Sequence, residues 1–386
     1  MKLSSKIIVL LILGLSLKYP VFNSSYFING HSNFEAISNT LEMSSYMIVP
    51  PIHIDGNWSY TASNYTWCTG DGSWGNPYII QGIEINGDNS VSCITIENTI
   101  DAFIIKNCSL TNSSSWQQNG GIRLNNISNG KIIENNCSNN NRNGIWVAGF
   151  NNTILDNIIE NNNNAGIQFH FGSSNHTISG NVINYNSIGI SSSLGENLTI
   201  STNTIHDNNF RGILLQDQTH SSIKNNVLYN NDVFGILLEE SNENIIEWNE
   251  ISSHTFAGIT MDYSDWNIIA NNTIYDNDKG ISLFGSNYND ILDNNLDRNG
   301  IGMRLRSSSY NNVIENTITY YYECIWQTDC EGNYILDNDC ELIERFEGVS
   351  IYGYYTLLVI AIIFVSSIPL LRRILNVENM NKKKNN

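Results

Sequence analysis

The sequence predicts an all-β fold, a right-handed parallel β-helix solenoid of about 11 coils, from three observations. A Gly-Ile pair recurs about every 22 or 23 residues, at Gly121-Ile122, Gly144-Ile145, Gly166-Ile167, Gly189-Ile190, Gly212-Ile213, Gly235-Ile236, Gly258-Ile259 and Gly280-Ile281. Gly302-Met303 varies it, and Cys93-Ile94 and Cys324-Ile325 put a thiol where glycine stood. An asparagine follows each pair by thirteen to fifteen residues: Asn107, Asn135, Asn157, Asn181, Asn203, Asn226, Asn249, Asn272, Asn294, Asn316 and Asn338. The runs between, Gly-Ile-x-Leu-x and Ile-x-x-Asn-x-Ile, alternate as strands do and are broken by Asn- and Gly-rich turns that oppose helix.

One coil of two or three short strands accounts for this period. Each strand pairs with its equivalent in the next coil, so like positions stack about 4.8 Å apart. Inward isoleucines fill a narrow core. Inward asparagines form a ladder that satisfies amides otherwise buried without partners. Parallel crossovers favour the right-handed coil.

In chain order, residues 1–22 read as a signal peptide: Lys2 and Lys6 precede an apolar run from Ile7 to Leu17, too short to span a bilayer. Residues 23–50 read as a polar linker, and 51–92 as an N-terminal cap with a degenerate first coil, its core built on Trp58, Trp67 and Trp74. The repeats proper occupy 93–340. Coil length holds at 22–24 except for a step of 28 between Asn107 and Asn135, where Ser113 to Gln118 form an inserted loop carrying Trp116. Insertions in solenoids gather on one face, often the binding face. Residues 341–353 read as a C-terminal cap, 354–371 as a membrane-spanning helix, and 372–386, with Arg372, Arg373 and Lys382 to Lys384, as a basic cytoplasmic tail. The repeat body is then expected outside the cell.

A net charge of −18 and a pI near 4.6 argue against a nucleic-acid partner, since phosphate binding needs clustered Lys and Arg. Seven cysteines are an odd set for a disulfide framework. Cys137 and Cys340 fall on inward positions; Cys68 with Cys93, and Cys324 with Cys330, are the first pairings to examine.

The Ile-Asp-Gly-Asn opening at Ile54–Asn57, the segment from Gly70 to Gly82 and the Gly-Ile / Ile-x-x-Asn coils resemble the NosD-type right-handed parallel β-helix proteins, of the pectin-lyase-like carbohydrate-binding and sugar-hydrolase superfamily found widely in archaeal surface proteins. The resemblance covers about 51–340 and implies the fold more than the activity, because its motifs are structural. The family is named for periplasmic accessory proteins of copper-enzyme maturation. Scattered histidines and the absence of a Met/His/Cys group in the sequence argue against copper here.

The positions two and four after each Gly face outward and stack into a strip along the body. Trp146, His170, Gln216, Phe284, Arg304, Arg306 and Trp326 are its expected ligand-binding residues, the aromatic rings suited to stacking on sugars. Glu239 above Asp262 puts two carboxylates about 5 Å apart, which suits a retaining glycosidase pair. With Asp217 and Glu240 nearby, the same oxygens suit Ca²⁺, and Ca²⁺ with a basic residue would suit a lyase. The expected function is therefore glycan or surface-polymer binding by a membrane-anchored extracellular protein, or a role in the cell envelope. The alternative is a polysaccharide lyase or glycoside hydrolase acting on an acidic polysaccharide.

Overall fold

The computed structural model describes residues 46–343. They form a parallel β-solenoid of about 12 turns, one more than expected. Each coil has three strands, here called by the faces they build. Face A holds the Gly-Ile strands, such as Phe234–Glu239 and Ala257–Asp262. Face B holds strands such as Ile245–Glu247, and face C holds those just after the ladder asparagine, such as Glu250–Ser252. Each pairs in parallel register with its equivalent: Ile236 with Ile259, Ile246 with Ile269, Ile251 with Ile274. All six of these isoleucines are fully buried, and their rows run the length of the core.

The recurrent glycine has a steric cause. A Cβ on Gly235 would lie 2.5 Å from the carbonyl oxygen of Gly258 and 2.7 Å from Cγ2 of Ile251. Backbone and core meet closely at the corner between faces C and A in the coils from Gly121 to Gly302, so the position is glycine in each of them, and cysteine stands there only near the ends, at Cys93 and Cys324.

The expected ladder runs at the corner between faces B and C, with one correction. Asn135 to Asn338 stack as predicted, each side-chain oxygen accepting from the backbone N–H of the asparagine one coil earlier. Asn107 is not a member. It is half-buried with φ 49°, matching Asp156 and Asn225, which precede their ladder residues in the left-handed region. Cys108 holds the ladder place instead, and its N–H donates to Asn135 Oδ1 at 3.1 Å. Face B register sets this: Ile105 pairs with Ile132, so the residue three after Ile105 lies beside the residue three after Ile132. The long coil is thus a step of 27.

Two further asparagine ladders and one of serine occupy the other corners. Asn140, Asn162, Asn186, Asn208 and Asn231, then His254, Asn277 and Asn299, stack between faces C and A. Asn244, Asn267, Asn289, Asn311 and Asn333 stack between A and B, beside Ser241, Ser264, Ser286 and Ser308.

Residues 51–92 supply a complete first coil rather than a degenerate one. Ile52–Asp55 pairs with Ile94–Thr99, Tyr78–Gln81 with Phe103–Lys106, and Ile83–Asn86 with Ser109–Thr111. Helix α1, Trp58–Asn64, is inserted between the first two faces. Trp58 is buried and stacks on Tyr78, and Trp67 packs against the core, but Trp74 is 74% exposed and is not core.

At the other end the disulfide joins Cys324 to Cys340, not to Cys330. Cys324 stands at the glycine position of its coil, and Cys340 pairs in register with Ile318 on face C. In the preceding coil a Cβ on Gly302 would lie 2.3 Å from Ile318 Cγ2, so these two positions meet across the corner. Cys340 is therefore a cross-link and not a buried hydrophobe. Cys68 and Cys93 are both buried and unpaired, and burial pushes their thiols up to about 11 and about 12. Cys137 is buried as expected.

Among the described residues no helix is long and apolar enough to cross a membrane. The expected signal peptide, spanning segment 354–371 and basic tail lie outside the described residues.

Candidate functional site

The outward strip on face A exists in the expected register. Gln216 pairs with Glu239, Glu239 with Asp262, Asp262 with Phe284, Phe284 with Arg306, and Arg304 with Trp326. Strand alternation puts these side chains on one surface because successive residues point to opposite faces.

The strip is not uniform. Around Asp262 it dips into a groove of about 240 Å³, lined by Phe234, Phe256, Thr260, Asp262, Ser282, Phe284, Arg304 and Arg306. Arg304 lies over the Trp326 ring at 5.1 Å and Arg306 over the Phe284 ring at 5.3 Å. Neither arginine makes an ion pair with a carboxylate among the described residues. Two cations oriented by aromatic faces thus keep their donors for an anion. Thr260 is 3% exposed, and its buried hydroxyl has no hydrogen-bond partner. Such a group carries a desolvation cost that a ligand hydroxyl can relieve.

Burial raises the Asp262 carboxyl above its ordinary range, and the neighbouring Glu239 raises it further. Glu239 has a cation of its own, Arg211 at 3.8 Å. Burial lowers the Arg211 guanidinium, against the opposing pull of Glu239. The two carboxylates of the predicted pair therefore differ in environment, which is the condition for an acid and a base to divide their roles.

Other predicted positions fall differently. Asp217 and Glu240 occupy the position next after the strip, as expected, and have φ of 49° and 50° at the corner that ends the strand. Trp146 points outward yet is only 3% exposed. Arg123 at 5.7 Å and His170 at 5.3 Å flank its ring, and Gln117 and Gln118 of the inserted loop line the same hollow. The exposed rings in that region are Phe171, 65% exposed, and Trp116, 78% exposed beside an open groove of about 770 Å³ that also includes Arg123. His170 is half-buried, Gln216 exposed and Trp326 41% exposed.

Phe234 and Phe256 are not on the expected strip, whereas Thr260, two residues after Gly258, falls on it without being one of the expected site residues. Phe234 stands in register with Arg211, Ala257 and Lys279, the residues just before the repeat glycines, where the outward alternation of the strand does not reach, and counting in twos from Glu239 passes it by. Phe256 enters from the preceding turn, two residues before Gly258 and six before Asp262, so counting back in twos from Asp262 would have found it.

A second group lies at the N-terminal end of face A. Among the described residues, His53, Asp55 and Glu97 form a set of potential metal ligands whose donor atoms all lie within 4.8 Å of one another. Partial burial pulls Glu97 upward, but hydrogen bonds from Asn125, His53 and Arg123, with the Arg123 charge, hold it at about 2.

The family described as "Right handed beta helix region" matches residues 188–357. The chain is a right-handed parallel β-helix. A second family, "Periplasmic copper-binding protein (NosD)", matches residues 76–254 of this β-helix, in line with the resemblance seen in its coils. No curated protein matches it. Among solved structures it is similar to the periplasmic alginate epimerase AlgG, at 14% identity and a TM-score of 0.52, over 77% of this chain and 84% of that one. It is also similar to the A-module of the Azotobacter vinelandii mannuronan C-5 epimerase AlgE6, at 12% identity and a TM-score of 0.49, over 69% of this chain and 89% of that one. At such identities the likeness is one of fold.

Proposed function

We propose that this β-helix binds an acidic polysaccharide along face A, with the groove at Asp262, Arg304 and Arg306 as its principal subsite. The observation that carries the reading is the pair of arginines: neither has a carboxylate partner among the described residues, and both are oriented by aromatic rings over a groove that also contains a buried hydroxyl without a partner there. Guanidinium groups match the planar carboxylates of uronic acids, and Phe234, Phe256 and Phe284 offer apolar surface to sugar rings. The chain's overall negative charge would repel a polyanion, so this local basic patch has to provide the attraction. One fold neighbour, AlgG, is named as an epimerase of alginate, and this supports a glycan as the ligand class. A leader at 1–22 and an anchor at 354–371 would hold the body outside the cell, where such polymers lie.

The test is binding of the full chain to a polyuronate and to a neutral glucan of matched length. Preference for the polyuronate, lost at least tenfold in Arg304→Ala and Arg306→Ala, is expected. Equal binding of both polymers, or arginine variants that bind as the wild type does, would overturn the reading.

The raised carboxyl of Asp262 favours one second reading, in which the same groove cleaves its polymer. A carboxyl that holds its proton more tightly than usual can serve as general acid, with Glu239, beside Arg211, as its partner. New reducing ends or unsaturated ends, absent in Asp262→Asn, would establish it; no new ends after prolonged incubation would leave binding alone.

A further inference from the structure

We propose that His53, Asp55 and Glu97 form a binding site for a first-row divalent cation at the N-terminal end of face A. His53 and Asp55 are two residues apart on one strand, so they share a face, and Asp55 pairs in register with Glu97 on the adjacent strand. Strand pairing, not a loop, brings the three together. His53 Nε2 lies 2.8 Å from Glu97 Oε2, and a donor atom from each residue falls within 4.8 Å of the other two.

The outer oxygens are already held from behind. Glu97 Oε1 accepts from Arg123 at 2.7 Å and from Asn125 at 3.0 Å, and Asp55 Oδ1 accepts from Asn98 at 3.1 Å. That leaves Asp55 Oδ2 and Glu97 Oε2 for a cation, which would take the place of the contact that Glu97 Oε2 now makes with the imidazole. Hydrogen bonds that fix the far atom of a ligating carboxylate are the usual outer support of a metal centre. Glu97 needs no histidine for charge balance, because Arg123 already supplies a cation; an ion-pair role alone leaves His53 without a reason. The group carries two carboxylates against one guanidinium, so its net charge of about −1 favours a cation.

The donor set selects the class of ion. One imidazole nitrogen and two carboxylate oxygens suit Zn²⁺ or Mn²⁺ better than Ca²⁺, which takes six to eight oxygens. His53 is 61% exposed at its side chain, so the outward positions stay open to water or to an anionic ligand. This site is separate from the Asp262 groove, and its failure would leave the glycan reading untouched.

The experiment is a calorimetric titration of the full chain, freed of metal with chelator, against Zn²⁺ and then Mn²⁺, with the metal bound per chain counted. The expected result is one bound ion per chain and a rise in melting temperature. His53→Ala and Asp55→Asn should each weaken binding at least tenfold while leaving the circular dichroism unchanged, since both side chains lie on the surface. Binding equal in both variants would place the ion elsewhere and overturn the proposal. No binding at millimolar Zn²⁺ or Mn²⁺ would reduce the group to an ion pair and overturn it equally.

Discussion

The side-chain oxygen of Asn249 accepts two hydrogen bonds from Asn226, one from its backbone N–H and one from its Nδ2, each at 3.0 Å. Asn249 in turn donates its own Nδ2 to the carbonyls of Ile223 and Glu247 and to Asn272 Oδ1. One amide thus satisfies polar groups in neighbouring coils where water does not reach.

Asn249→Ala should therefore lower stability, by about 1–3 kcal/mol for each group left buried and unpaired. Thermal unfolding of the full chain checks it, with the β-sheet signature retained below the transition. An unchanged melting temperature would mean that the ladder is ornamental.

His254 interrupts the ladder between Asn231 and Asn277. Its Nδ1–H donates to the Asn231 carbonyl at 2.8 Å, while Nε2 is buried without a partner. Burial lowers its pKa from 6.5 to about 4, outweighing the opposing hydrogen bonds, and His176 is lowered in the same way. Between those values the unfolded chain binds more protons than the folded one. Stability is then complete above pH 6.5 and declines as pH falls towards 4, by roughly 3 kcal/mol for each histidine. His254→Asn, which restores the residue used in adjacent coils, should flatten part of that decline. A pH profile identical to the wild type would contradict the assignment.

The Cys324–Cys340 cross-link closes a span of 16 residues at the last coils. A loop of that size is worth about 3 kcal/mol of unfolded-state entropy. Cys324→Ser should lower the melting temperature, and reductant should have the same effect on the wild type but none on the variant.

Thr260→Val removes a buried hydroxyl that has no partner. Stability should be unchanged or should rise by about 1 kcal/mol, whereas replacing a satisfied threonine normally costs stability. Polyuronate affinity should fall severalfold if the proposed ligand bonds this hydroxyl in the groove. Lower stability with unaltered binding would remove Thr260 from the site.

Protease added to intact cells should digest the repeat body and spare an epitope placed after Lys384. Cleavage or labelling of that epitope from outside would reverse the proposed topology.

Much of this architecture was legible in the order of residues. The Gly-Ile pair and the asparagine ladder repeat because every coil meets the same physical demands: no room for a Cβ at one corner, and no water for the amides at another. A constraint imposed once per turn leaves a period in the sequence, and the register of Glu239, Asp262, Phe284 and Arg306 follows by counting. What only the tertiary structure decided lies off that period. Asn107 and Cys108 are adjacent in sequence, and only face B pairing shows which one holds the ladder place. Trp146 has an outward position but is covered by the inserted loop and the Arg123 and His170 side chains. Asp217 and Glu240 lie one residue beyond the strip by counting, but the left-handed backbone that turns the chain at each of them is a feature of the structure. The groove itself arises from side chains of unequal size on equivalent positions, as where Phe234 is followed by Ala257, and Leu237 by Thr260 and Ser282. Periodicity fixes where a side chain starts; its neighbours in adjacent coils and inserted loops decide whether it ends in water, in a groove or under cover.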